Sequence, residues 1–403
     1  MPAAVPANRV VVIGSGPIGL EAALHATRAG FEVAVFEQGE VADGVRNWGH
    51  IRLFSPFSMN SSSAGRDAIA NAGGSLPEDD ELLTGKQFYE SYLKPLSELP
   101  ELAGCLHENT RVVSIGRRWL RKGHAIGHAT RQADLFDLVV RCGDEERVET
   151  ANFVLDCSGS YPNHRLIGGG GQGCPGESKL PEKCYQLADI MGSDRQDFIG
   201  KHTLVVGGGY SAATAIVSLG ELMQVEPKTS VTWLTRGDDG VPMHRAEGDP
   251  LIERDRIAST ANQLVADGHV TWIREQRIVN IETGTGYGVT LETVSGNQTV
   301  HTFDQIAAHP GYRPDTSLYR ELQVHECYAS EGPIKLAAAL LGGSGDCLVQ
   351  PETGPETLKN PEPGFFVLGS KSYGRNSRFL IQAGLRQIED VMPLIAKQLE
   401  ATA

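Results

Sequence analysis

The chain of 403 residues carries 36 basic against 50 acidic side chains, a formal net charge of −14, which argues against nucleic acid or an anionic membrane surface as its main partner. Its length suggests two or three domains, and no apolar run approaches the ~20 residues of a membrane span. Seven scattered cysteines, an odd number, read as reduced thiols of a cytoplasmic protein, and the stretch from Met1 to Asn8 lacks the charged-then-apolar plan of a targeting signal.

The first element is a β-branched strand, Val10-Val11-Val12-Ile13, entering the turn Gly14-Ser15-Gly16-Pro17-Ile18-Gly19. Gly14 permits the tight turn, Gly16 lets a pyrophosphate approach the backbone, and Gly19 lets helix and strand pack closely. The turn opens a helix that continues through the alanine-rich run 20–29, with Pro17 early in it, where a missing N–H costs nothing, and Gly30 as its stop. The second strand, 31–36, ends at Glu37, about 20 residues on, where an acid meets a ribose hydroxyl. Residues 38–65 read as a long functional loop with Gln38, Arg46, Trp48, His50 and Arg52.

Residues 84–96 have helical spacing, with Phe88, Tyr92 and Leu96 on a core face. Strands are expected at 109–115, 135–141 and 153–156, with charged turn residues between the last two, and the third runs into Cys157-Ser158-Gly159-Ser160. The glycine-dominated stretch 168–176 reads as a flexible crossing between domains. A second α/β unit then opens with a strand at 202–206, the turn Gly207-Gly208-Gly209-Tyr210-Ser211-Ala212, a helix over 211–222, and a strand at 230–235 that ends in Arg236. A helix at 249–267 and short strands at 277–282, 288–293 and 298–303 complete it. Residues 306–308 are expected to return the chain toward the first domain through His309-Pro310-Gly311-Tyr312-Arg313-Pro314-Asp315. The tail has a strand at 365–368, a loop at 369–376, and a helix from about Phe379 that Pro393 should kink or interrupt.

The glycine-turn unit thus occurs twice, and the two copies differ at the ribose. Glu37 would accept hydrogen bonds from ribose hydroxyls and repel a 2′-phosphate; the guanidinium of Arg236 matches one, so the second turn should prefer NADPH over NADH. One acidic and one basic site imply FAD plus NADPH. On these motifs the chain resembles the two-dinucleotide-binding-domain flavoproteins, which include flavin-containing monooxygenases, N-hydroxylating monooxygenases and the thioredoxin-reductase group.

The resemblance implies an α/β fold of two three-layer, Rossmann-like domains: a glutathione-reductase-like FAD domain at 1–168 and 304–403, with an NADPH domain inserted at 169–303. It places FAD on Gly14, Gly16, Pro17, Ile18, Gly19 and Glu37, with Gln38, Arg46, Trp48, Ser158 and Gly159 nearby, and NADPH on Gly207, Gly209, Tyr210, Ser211, Ala212 and Arg236. Val112 or Val113 matches the strand whose backbone reads the adenine. Gly369 and Ser370 match the segment closing over the flavin, where Ser370-Lys371 replaces the usual aspartate, and Lys371 or Arg375 could approach the phosphates or the flavin ring. His309-Pro310 stands where the family has Ala-Thr or similar.

No CxxC or CxxxxC pair occurs, which speaks against dithiol exchange beside the flavin. Trp48 lies at the position of a monooxygenase Gly-Gly-x-Trp turn, and Phe57-Ser58-Met59-Asn60-Ser61-Ser62 is similar to the segment that sets an asparagine amide next to the flavin. Asn60 is therefore the catalytic candidate, with a turn formed by Asn60 and its serines as the competing reading. The fingerprint FxGxxxHxxxY/F is absent, so the expectation is a divergent relative. It would take NADPH, O₂ and a small amine or sulfur nucleophile, and insert one oxygen through a C4a-hydroperoxyflavin. An NADPH-dependent reductase or oxidase without oxygen insertion and a redox-sensing flavoprotein are the alternatives. No metal site is expected, since His124 and His128 are flanked by Gly123 and Gly127. A homodimer is compatible with this reading.

Overall fold

A computed structural model describes residues 8–128, 130–237, 240–245, 248–341 and 353–400. The first seven residues, most of the segment read above for targeting signals, lie outside the described residues. The chain divides into two compact units, one running to Asn163 and resuming at Arg313, the other spanning His164–Tyr312.

Unit 1 begins with β1 (Arg9–Ile13), α1 (Pro17–Arg28) and β2 (Glu32–Phe36). The stretch read as a loop contains short helices, Asp43–Asn47 and Phe57–Asn60, and then α2 (Ser63–Asn71). The expected helix at 84–96 forms behind a capping box of Thr84 and Gln87, but with a π turn at Tyr89–Leu93. Pro95 explains it: with no N–H at that position the regular ladder cannot continue, and Lys94 N–H reaches back to the Tyr89 carbonyl instead. Next come β3 (Leu106–His107), β4 (Thr110–Arg117), β5 (Phe136–Cys142), β6 (Glu145–Ala151) and β7 (Phe153–Asp156). β6 corrects the sequence reading: its charged residues form an edge strand antiparallel to β5, largely exposed, and not a turn.

Unit 2 contains β8 (His202–Val206), α3 (Tyr210–Val225), β9 (Ser230–Leu234), α4 (Ile252–Ala266), β10 (Thr271–Ile273), β11 (Gln276–Thr283), β12 (Tyr287–Thr293), β13 (Gln298–Phe303) and β14 (Gln305–Ala308). Its parallel sheet has the order β10-β9-β8-β14. β14 pairs in parallel with β8, so residues 306–308 complete the second sheet; the expected return toward the first domain begins only after Tyr312. One face of this sheet packs Leu204, Val206, Leu234, Ile306 and Ala308 against Ile278, Ile281, Val289, Leu291 and Phe303 of the β11-β12-β13 sheet. α3 and α4 approach closely at Gly220, where a Cβ would run into the Leu264 side chain. The glycine-rich stretch is not a free crossing. The buried carboxylate of Glu177 accepts from the N–H groups of Ile167 (2.7 Å), Gly168 (3.3 Å) and Cys174 (3.1 Å) and from the Tyr185 hydroxyl (2.8 Å), which ties it into unit 2.

The chain returns to unit 1 with β15 (Phe365–Val367) and α5 (Ile381–Glu400). The sheet order is β15-β7-β1-β2-β3, all parallel, and alternate residues serve opposite faces. Val10, Val12 and Leu155 pack against Ala22, Ala23 and Ala26 of α1 and Ile388, Val391 and Ile395 of α5. Val11, Ile13 and Val154 pack against Val112, Phe136, Leu138 and Val140 of the β4-β5-β6 sheet. That is the three-layer arrangement expected for a nucleotide domain. Contrary to expectation, Pro393 does not interrupt α5. It sits on the exposed side, as does Glu389, whose carbonyl it deprives of a donor, so water can satisfy that carbonyl while Val391 and Ile395 keep the helix on the sheet.

Candidate functional site

In an open parallel sheet a ligand is received beyond the carboxyl ends of the strands, at the point where the strand order reverses. Unit 1 has that point between β1 and β7, and unit 2 has it between β8 and β14. Both glycine turns lie there.

At the first, Gly14 has φ +90°, and a Cβ on it would press on the backbone of Cys157 and Ser158, at 2.9 to 3.2 Å. A Cβ at Gly19 would collide with the Gly14 carbonyl oxygen. A Cβ at Gly16 would meet nothing within 4 Å, so the N-terminus of α1 faces open space, as the cradle of a pyrophosphate must. Pro17 occupies the first turn of the helix, and Ile18 packs against Gly369, with 3.2 Å from its side chain to a Cβ placed there. Glu37 lies over the turn: one carboxylate oxygen accepts from Ser15 N–H at 2.8 Å and the other from Gly39 N–H at 3.1 Å. Gln38 beside it is exposed. A bulge between Val112 and Ser114 leaves Val113 without a partner in the β4–β5 ladder, and Val113 is 36% exposed whereas Val112 is buried. Of the two valines, Val113 is the one that stands outside the ladder register and reaches the surface.

At the second turn, Gly207 has φ +132°, and a Cβ would collide with the carbonyl of His309. The buried indole of Trp233 donates to the Gly207 carbonyl at 2.7 Å and fixes the turn from below. Cβ atoms at Gly208 and Gly209 would meet nothing within 4 Å. Tyr210 and Ser211 open α3, with the Arg254 guanidinium 5.9 Å from the Tyr210 ring, and Ala212 is fully buried against the sheet. Arg236 follows β9, exposed and without an ion pair among the described residues. Arg245, by contrast, is held by Asp255 at 2.7 Å.

Three sequence expectations need correction. The Asn60 amide donates to the Ser55 carbonyl at 2.9 Å and the Pro56 carbonyl at 3.0 Å, and its oxygen accepts from the Ser55 hydroxyl at 2.8 Å. Its donors close a turn, the competing reading, and none is left for a flavin. Lys371 does not approach phosphates. It is 1% exposed and donates to Asp156 at 2.6 Å and to Ser158 Oγ at 3.0 Å, with the Tyr319 ring 5.2 Å away. Arg375 is taken by Glu331 at 2.5 Å. The lysine that replaces the usual acid thus supports the turn Ser158–Gly159 from beneath, by neutralising a carboxylate at the end of β7. Ser370 remains at the surface of this region, its hydroxyl 3.5 Å from a Cβ placed on Gly159. Asp156 and Trp233 are the supporting residues that sequence reasoning passed over; each lies inside a strand and reads there as ordinary core.

Arg46 pairs with Glu40 and lies over the Tyr89 ring at 5.3 Å, while Trp48 packs against Gly85. Both serve the packing of 38–65 on the neighbouring helix.

Four of the described thiols share one tendency. Burial and the neighbouring Asp156 push Cys157 well above the usual thiol value, burial raises Cys105 and Cys184, and Cys174 is pushed up to about 11 by burial and Glu177. Cys327 is instead lowered, by hydrogen bonds from Ser330 and nearby N–H groups. None of the described cysteines is in a disulfide.

The family model for pyridine nucleotide-disulphide oxidoreductases matches residues 8–335. The chain belongs to that family. FAD and NADPH, the pair implied by the two turns, are its cofactors, and the open cradles at Gly16 and at Gly208–Gly209 fit them. No curated relative matches the sequence. Among solved structures, the bacillithiol disulfide reductase Bdr (YpdA) from Bacillus cereus is similar at 18% identity and a TM-score of 0.70, covering 97% of this chain and 99% of that one. An ornithine N-hydroxylase from Kutzneria sp. 744 matches at 15% identity and a TM-score of 0.63, over 98% and 100%. A flavin-containing monooxygenase from Stenotrophomonas maltophilia matches at 17% identity and a TM-score of 0.58, over 97% and 98%. At these identities the likeness is one of fold. Among the described residues no helix is long and apolar enough to cross a membrane.

Proposed function

We propose that this oxidoreductase hands electrons from NADPH through FAD to O₂, and one oxygen to a small soft nucleophile such as an amine nitrogen or a sulfide, without a thiol relay. The observation that carries this reading is the state of Cys157. A disulfide reductase needs a low-pKa cysteine at the flavin with a partner to resolve it. Here the thiol nearest the first turn, Cys157, is buried under Gly14 and held protonated. When bound, the nucleotide supplies hydride and the flavin carries the electrons to the acceptor; the protein supplies placement. Gly16 and the α1 N-terminus receive the FAD pyrophosphate, Glu37 the ribose, and the bulge at Val113 the adenine. Gly208, Gly209 and the α3 N-terminus receive the NADPH pyrophosphate, and Arg236 the 2′-phosphate.

A second reading, NADPH-dependent reduction of a small acceptor without oxygen insertion, is favoured by Asn60, whose amide is committed to its own turn. We take the protein to act in the cytoplasm. The test is NADPH consumption against a panel of amines, sulfides and ketones. A product heavier by one oxygen atom is expected; NADPH oxidation matched mole for mole by hydrogen peroxide, with every candidate substrate unchanged, would refute oxygen insertion.

A further inference from the structure

His309 follows β14 at the switch point of unit 2, beside the second glycine turn. Its N–H donates to the Val206 carbonyl at 2.7 Å, its own carbonyl lies against Gly207, and its Cβ is 3.5 Å from where a Gly207 Cβ would stand. The residue is 8% exposed, and its buried Nδ1 has no hydrogen-bond partner among the described residues. A buried polar atom without a hydrogen bond is uncommon and calls for a reason. The fold does not supply one, because the same station in unit 1 is filled by Cys157, whose N–H bonds the Ile13 carbonyl at 2.9 Å and whose side chain is simply packed.

The charges on the elements around β14 are already engaged. Glu182 stands 3.5 Å from His164, Lys183 pairs with Asp197 at 3.0 Å, and the Tyr185 hydroxyl donates to Glu177. The first turn of α3, Tyr210-Ser211-Ala212, carries no charge. Burial alone acts on the imidazole and pushes its pKa down to about 4, so it is neutral near pH 7.

We propose that His309 is a binding residue for the pyridine nucleotide, its imidazole donating a hydrogen bond to a phosphate oxygen of NADP(H) seated on the Gly207–Ala212 turn and taking up a proton from solvent as it does so. The inference rests on the reading of this turn as the NADPH site. An anion brought beside a neutral imidazole favours its protonated form, so binding takes up protons and tightens as pH falls toward the acid side of neutrality. Protonation of the 2′-phosphate acts in the opposite sense, and equally in wild type and variants.

The test uses the flavin-loaded protein and NADP⁺, titrated calorimetrically in two buffers of different ionisation heat to count protons. Wild type is expected to take up a fraction of a proton. His309→Ala should lose that uptake and bind roughly ten-fold more weakly, the loss of one charge-assisted hydrogen bond. His309→Asn, which keeps an uncharged donor, should recover part of the affinity and none of the proton uptake. Flavin content and circular dichroism check folding, and His309→Gln takes the place of His309→Ala if the latter does not fold. Equal affinity, or an equal proton count, in wild type and the alanine variant overturns the role of His309 while leaving NADPH binding intact. Failure of the wild type to bind NADP⁺ overturns the NADPH reading and this inference with it.

Discussion

The two glycine turns share a backbone plan and differ in how the surroundings hold them. In unit 1 the polar groups are paired in advance: Glu37 on Ser15 and Gly39, and Lys371 on Asp156 and Ser158. In unit 2 the turn is fixed through its backbone by Trp233, while among the described residues Arg236 has no ion pair and the Nδ1 of His309 has no partner. The first is what a permanently held cofactor requires, since a preordered site loses little freedom on binding. The second has groups left for a ligand that comes and goes. The proposed placement of FAD on the first turn and NADPH on the second follows that division.

The largest test of the comparison is to break one turn at a time. Gly14→Ala places a Cβ on the Cys157–Ser158 backbone at positive φ, and purified protein should retain almost no flavin. Gly207→Ala collides with His309 and should leave flavin content near wild type while abolishing NADP⁺ binding. Absorbance of the purified proteins and a nucleotide titration check both. Equal flavin loss in the two variants would erase the proposed division.

Next in size is the buried pair of unit 1. Lys371→Met leaves the Asp156 carboxylate uncompensated in the core and should destabilise the protein by about 3–5 kcal/mol. Adding Asp156→Asn should restore much of that. Denaturant unfolding of single and double variants gives the coupling, and a single variant as stable as wild type would mean the pair does not support the turn.

His309 gives unit 2 a pH dependence of known sign. Its folded-state pKa of about 4 lies below the unfolded value of 6.5, so the unfolded chain binds the extra proton between these values. Stability is therefore lost as pH falls from about 6.5 to about 4, by about 3 kcal/mol at most, and is constant in this respect above that window. Thermal unfolding of wild type against His309→Asn should show the difference across that window and none near pH 8. The smallest effect belongs to Arg236→Ala, exposed as it is. The preference for NADPH over NADH should fall roughly ten-fold, about 1.4 kcal/mol, read from KM with each nucleotide.

What could be read in advance was set by local geometry. Gly14, Gly19 and Gly207 are dictated by backbone strain or close approach, Gly16 and Gly209 keep their turns open, and the unbroken apolar run Val10 to Ile13 follows from a strand covered on both faces. What could not be read depends on partners remote in sequence. Glu145–Ala151 is a strand because β5 offers it an edge, though its charges suggest a turn. Lys371 looks like a phosphate ligand until Asp156, 215 residues away, claims it. Asn60 resembles a flavin contact, yet the carbonyls of Ser55 and Pro56 take its donors first. His309 stood out only as a departure from a family pattern; its unpartnered nitrogen is a property of the packed sheet.

The most direct measurement of the two-turn account is anaerobic mixing of the purified protein with NADPH or NADH while flavin absorbance is followed. The account predicts that the protein carries FAD and that NADPH bleaches it faster than NADH at equal subsaturating concentration. A protein that purifies without flavin, or whose flavin neither nucleotide bleaches, would contradict it.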